Sequence, residues 1–194
     1  MHLCFTMECF DMKEFLKSHY QFTNYQVAQL EYFFKTVFSE ISKILIMGFL
    51  FHKELSIYCI AMLALCLLRT STGGLHCKTY LRCLIASTTY MFLAIKVLPL
   101  ISVSPFFKIV WMLLCIPINY YVGPVTSDVR GPLTETVIKK SRMKAAVFIL
   151  LFTIIMIVAP ENRYMVPVFW ITIIHTMQLI IAKIRKIKKG EKAA

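Results

Sequence analysis

Four stretches of the chain, Leu84 to Ile101, Pro105 to Val122, Ala145 to Ala159 and Met165 to Ala182, carry almost no charge. A membrane-crossing helix needs about 20 predominantly apolar residues, and hydrocarbon admits only backbone whose polar groups are satisfied internally. The pattern therefore predicts an all-α, polytopic integral membrane protein. The third stretch is short and must draw on its flanks to cross. Tight links at Ser102 to Ser104 and Pro160 to Tyr164, against a long polar connection from Gly123 to Lys144, pair the four spans into two helical hairpins. Lys96 and Lys108 stand near segment ends, where long side chains reach the interface.

Upstream, Ile41 to Phe51 and Leu55 to Leu68 are separated by His52, Lys53 and Glu54. Each is short of a comfortable crossing, so this reads as a short hydrophobic pair, re-entrant or partly inserted. Before it, Val27, Leu30, Phe33, Phe34, Val37, Phe38, Ile41, Ile44 and Leu45 recur at helical spacing with polar residues between them, the pattern of an amphipathic helix lying in the interface. The expected organisation is a single membrane domain over 1–194. It comprises an N-terminal segment (1–40), the short pair (41–68), a polar segment (69–83), four transmembrane helices (84–182) and a basic tail (183–194). The opening residues show no uninterrupted apolar region with a small-residue cleavage site, so no removable signal peptide is expected.

Composition agrees: 58% of residues are hydrophobic, against roughly 45–50% in soluble domains, and mean hydropathy is +0.68. The net charge of +12 follows from basic loops gathered on the cytoplasmic side and calls for no nucleic-acid partner. By the same rule the segment before Leu84, the run Arg130 to Lys144 and the C-terminal tail face the cytoplasm. Seven cysteines, an odd number without CxxC spacing, predict neither a disulfide framework nor a zinc site. No metal or cofactor motif is read.

The chemistry concentrates in RTSTGGLHCKTYLRC, Arg69 to Cys83. Here a Gly73-Gly74 pair, His76 and Cys83 lie between apolar stretches. Arg69, Lys78 and Arg82 supply positive charge, and nothing acidic occurs from Ser56 to Ser127. A thiol nucleophile needs a base within hydrogen-bond reach. On one straight helix, residues seven apart share a face but are separated by about 10.5 Å of rise, so the chain must bend near Gly73 to Lys78 or a second subunit must supply the partner. Cys77, next to His76, projects elsewhere and is the rival nucleophile. His175, in the last span with no acid beside it, reads as an imidazole packed against another helix rather than a proton relay. Asp128, Asn119, Ser87 or a backbone carbonyl could each orient His76, and that place stays open.

Arg69, Gly73-Gly74, His76 and Cys83 form R-x-x-x-G-G-x-H-x6-C. This resembles the signature of the accessory gene regulator protein B (AgrB) family, membrane cysteine endopeptidases that mature quorum-sensing propeptides in Gram-positive bacteria. The likeness extends to EISKIL (Glu40 to Leu45), the multi-span layout and the connection YYVGPVTSDVRGPL, from about Tyr25 to Lys183. It implies His76 and Cys83 as catalytic residues, with Arg69, Gly73, Gly74, Lys78 and Arg82 binding substrate or supporting the site. The implied substrate is an AgrD-like propeptide with an amphipathic leader, an internal cysteine and an acidic tail. Cleavage before the tail would leave a thioester, which the peptide's own cysteine converts to a thiolactone without nucleotide or cofactor. The resemblance also implies residence in the bacterial cell membrane, with the bilayer as partner, the site facing the cytoplasm, and self-association as a homodimer. The competing function is a small peptide exporter or permease component that performs no covalent step.

Overall fold

The computed structural model describes residues 23–74, 79–125, 134–160 and 162–191. The chain divides into two units at residue 49. The first contains α1 (Asn24–Leu50). This helix opens with a reciprocal cap in which the Thr23 amide donates to Gln26 Oε1 (2.9 Å) and the Gln26 amide donates to Thr23 Oγ1 (3.3 Å). The T-x-x-Q spacing thus satisfies two amides that a helix start leaves without partners. About two turns before its end, Lys43 pairs with Glu40 along the same face.

The second unit begins with a 3-10 turn (His52–Glu54) leading into α2 (Leu55–Thr72). It continues through α3 (Tyr80–Phe92), α4 (Pro105–Val122), α5 (Glu135–Val158) and α6 (Met165–Glu191). Among the described residues the regular structure is helical, with one isolated bridge between Gly73 and Val125. Among the described residues five stretches are long and apolar enough to cross a membrane: His52–Thr72, Tyr80–Leu100, Pro105–Val122, Glu135–Val158 and Met165–Lys188.

The expected short pair resolves differently. Residues 41–50 continue α1, whereas the second half gains the 3-10 turn in front and Arg69 to Thr72 behind, and so reaches spanning length. Three of the polar residues added at its end are accommodated by back-bonding: the Thr70, Ser71 and Thr72 hydroxyls donate to the carbonyls of Cys66, Leu67 and Leu68 at 2.8–2.9 Å. Likewise the short third stretch, Ala145 to Ala159, extends backward through the basic turns from Glu135, which brings it to 24 residues.

Prolines shape the other spans. Pro99 has no amide to continue the ladder, and the turn before it widens to a π turn (Leu93–Val97) before closing in a 3-10 turn (Leu98–Leu100). Pro105 occupies the first turn of α4, where a missing N–H costs nothing. The core is a four-helix cluster: Ala64 and Leu68 of α2, Met112 and Cys115 of α4, Ile149, Phe152 and Met156 of α5, and Met165, Val168 and Phe169 of α6. Close packing of this kind drives association where lipid is as apolar as the side chains. α3 is tied on by Tyr90, whose hydroxyl donates to the Ile171 carbonyl at 2.7 Å. Outward residues such as Phe106, Trp111, Leu150 and Ile154 are exposed, as lipid-facing positions should be.

Candidate functional site at the Gly73 turn

The polar segment read from the sequence falls where α2 ends and α3 begins. α2 stops because Gly73 takes φ +76, a backbone region that side chains with a Cβ rarely enter. Its amide donates to the Arg69 carbonyl at 2.9 Å and closes the last turn. A Cβ at Gly73 would lie 2.2 Å from the Val125 carbonyl oxygen, so glycine is demanded twice over, by conformation and by contact. Opposite, the Val125 amide donates to the Thr72 carbonyl at 2.9 Å. The segment that follows α4 is thus stitched to the end of α2.

This junction has a third member. Gly123, which ends α4, is buried, and a Cβ there would lie 2.9 Å from the Asn119 carbonyl and 3.4 Å from both Leu179 and Thr72. Its own carbonyl accepts from Arg142 Nε of α5 at 2.8 Å, and the Arg142 guanidinium lies 5.8 Å from the Tyr120 ring centroid. Four helices therefore meet where the backbone is least regular. Irregular backbone at membrane depth is tolerated when its polar groups find protein partners.

Beneath the turn lies a buried polar chain. Thr72 Oγ1 lies 2.6 Å from His175 Nε2 and donates to the Leu68 carbonyl at 2.9 Å. One residue further along α6, Thr176 Oγ1 donates to the Thr172 carbonyl (2.7 Å) and accepts from Asn119 Nδ2 (2.7 Å), which also donates to the Cys115 carbonyl (2.8 Å). Thr72, Asn119, His175 and Thr176 are all under 5% exposed. Arg69, half-buried in the last turn of α2, is close enough to act electrostatically on Tyr90 and His175.

Cys83 is half-buried in the first turn of α3, its amide donating to the Thr79 carbonyl at 3.1 Å. An anion at such a position faces the positive end of the helix dipole. Arg82 beside it is exposed. His76, Lys78 and the rival Cys77 lie outside the described residues, as does Asp128. The Gly73 amide donates to the Arg69 carbonyl. Gly73 acts through the turn it permits. Asn119 and His175 are brought to the junction, together with Thr72 and Thr176, which the sequence reading passed over. The available signal was a scatter of hydrogen-bonding residues inside apolar spans, where polar groups are costly and seldom idle.

Fold and junction define a class: a polytopic helical membrane protein in which one span ends at a glycine turn braced by polar side chains from other helices, and the next span carries a thiol in its first turn. The chain belongs to the accessory gene regulator B family, whose model matches residues 11–181. It is 24% identical over 160 residues to an AgrB-like protein of Clostridium beijerinckii, covering 80% of this chain and 77% of the relative. No solved structure matches it significantly. Membership gives the chain a role in accessory gene regulator quorum-sensing peptide processing.

Proposed function

We propose that this protein is a membrane cysteine endopeptidase that cleaves the C-terminal tail from an AgrD-like propeptide and cyclises the remainder. The observation that carries the reading is the position of Cys83, a half-exposed thiol at the start of a span, across the helix break from the rigidly held Gly73 turn. His76, seven residues before it in sequence, takes the thiol proton while sulfur attacks the scissile carbonyl, then returns it to the leaving amine of the tail. The upstream peptide is left as a thioester on Cys83. The propeptide's own cysteine attacks that carbonyl, Cys83 leaves as thiolate, and the ring closes as a thiolactone. Exchange of one thioester for another roughly conserves bond energy, so no nucleotide is required. The uphill step is the first, from amide to thioester, and removal of the released tail draws it forward.

Arg69, Lys78 and Arg82 suit an acidic tail, and Gly74 supplies the amide toward the developing oxyanion. Alternating spans gather Arg69, Arg82, Lys139, Lys140, Arg142, Lys144 and the end of α6 on one side, which the positive-inside rule assigns to the cytoplasm. The catalytic unit is one membrane domain that works as a homodimer in the bilayer. Support for the whole reading comes from family membership together with the motif from Arg69 to Cys83.

The test is trapping. A propeptide with an amphipathic leader, internal cysteine and acidic tail, incubated with the full chain in lipid nanodiscs, should yield an acyl adduct on the peptide containing Cys83 when the propeptide cysteine is replaced by alanine. Processing that persists in Cys83→Ala would sink the endopeptidase assignment to that thiol, and transport of the propeptide with no adduct and no cleavage by the wild-type chain would favour the exporter-like alternative.

A further inference from the structure

The mechanism above uses no residue of α6, yet α6 contributes two adjacent buried polar side chains to the junction. We infer that His175 and Thr176 are positioning residues that lock the Gly73 turn, and with it the thiol segment, in register with the end of α4. Thr72 is the pivot. Its hydroxyl has a single proton and reaches both the Leu68 carbonyl at 2.9 Å and His175 Nε2 at 2.6 Å; with that proton assigned to the carbonyl, the Nε2–H tautomer of His175 is the donor across the shorter contact. The Thr72 carbonyl meanwhile accepts from Val125. One residue thereby joins α2, α6 and the segment after α4, immediately before the glycine that turns the chain.

Thr176 performs the matching task on α4. Through Asn119 Nδ2 it fixes the last turn of that helix, and the Asn119 carbonyl in turn accepts the Gly123 amide at 3.0 Å. Neighbouring residues on one helix therefore hold both sides of the Gly73–Val125 bridge. Neither side chain has a purely local purpose. His175 sits at 1% exposure, and its Nδ1 has no hydrogen-bond partner among the described residues. Burying an imidazole with one nitrogen unsatisfied is unfavourable, and the bond to Thr72 is the compensating contact.

This inference rests on the endopeptidase reading for its rate readout but not for its structural one. The Thr72→Val variant keeps the shape and removes the hydroxyl, whereas Thr72→Ser keeps the hydroxyl; His175→Phe removes the donor, whereas His175→Gln restores one. In nanodiscs, exchange of the Val125 amide with deuterium should be about 10-fold faster in Thr72→Val and His175→Phe, because the bond depends on a held turn. It should return toward the wild-type rate in Thr72→Ser and His175→Gln. Processing of the same propeptide should lose about 10- to 100-fold in kcat in the first two variants with KM little changed, as misplacement of reacting groups does. The double variant should be no slower than the worse single one, since both remove a single interaction.

An unchanged Val125 exchange rate in both Thr72→Val and His175→Phe overturns the lock. So does loss of kcat in His175→Phe with full activity in Thr72→Val, which would make His175 act on substrate directly. Activity in Cys83→Ala would instead overturn the endopeptidase reading alone, and amide exchange would still judge the lock.

Discussion

The two ends of the second unit handle polar groups in opposite ways. At the Gly73 end, hydroxyls, an amide and an imidazole are buried between helices and bonded to one another or to backbone carbonyls. At the other end the polar contacts are exposed pairs: Lys96 on Glu54 at 2.5 Å, joining the start of the first span to the end of the second, and Arg163 against the Tyr164 hydroxyl at 3.1 Å. The first arrangement cannot exchange its partners for water, and the second can. Buried polar bonding is therefore concentrated beside the Gly73 turn, and the opposite end relies on apolar packing with exposed polar pairs at its rim.

That contrast orders the expected effects. The largest belongs to chemistry: Cys83→Ala and His76→Ala should each reduce propeptide processing by at least about 10³-fold with insertion and abundance intact, whereas Cys77→Ala should process normally. Mass spectrometry of the peptide products reads this directly. Next comes the turn. Gly73→Ala forces a Cβ to 2.2 Å from the Val125 oxygen at φ +76, and should lower stability by on the order of 1–3 kcal/mol, measured by thermal unfolding in detergent.

Asn119→Ala, which removes the donor to the Thr176 hydroxyl and loosens the end of α4, should cost about 1–3 kcal/mol, against less than about 1 kcal/mol for Lys96→Ala at the exposed pair. Equal losses in those two variants would erase the distinction between the ends. The smallest effect is a titration. The Arg163 guanidinium, with a hydrogen bond from Ser56 adding to it, holds the Tyr164 hydroxyl below the ordinary phenol range. A folded-state pKa lowered in this way contributes stability only above the lowered value, and that contribution vanishes as pH falls through it. Arg163→Ala should thus raise the Tyr164 midpoint seen by ultraviolet titration and leave stability at pH 7 unmoved.

Span positions were legible from apolar run length, since hydrocarbon thickness fixes how many residues a crossing needs. Their ends were less so. The pair 41–68 looked too short because Arg69 to Thr72 read as a polar loop, and only back-bonding to carbonyls a turn earlier makes such residues acceptable in a helix. Cys83 was singled out by residue type and charge context, and the helix break beside it by two glycines. Thr72, Thr176, Asn119 and His175 offered no periodicity or motif, being 47 to 104 positions apart across the helices they join.

By itself the sequence determined that this protein is helical and membrane-spanning, where four of its five apolar spans lie, and that a thiol and an imidazole stand seven residues apart beside a glycine pair. Those properties are written in local composition and spacing. Only the tertiary structure decided that Gly73 must be glycine because Val125 presses on it, and that α6 underpins the turn from below. Such facts depend on which helices meet, a choice set by close packing of Leu68, Met112, Ile149 and Phe169 that no single segment encodes.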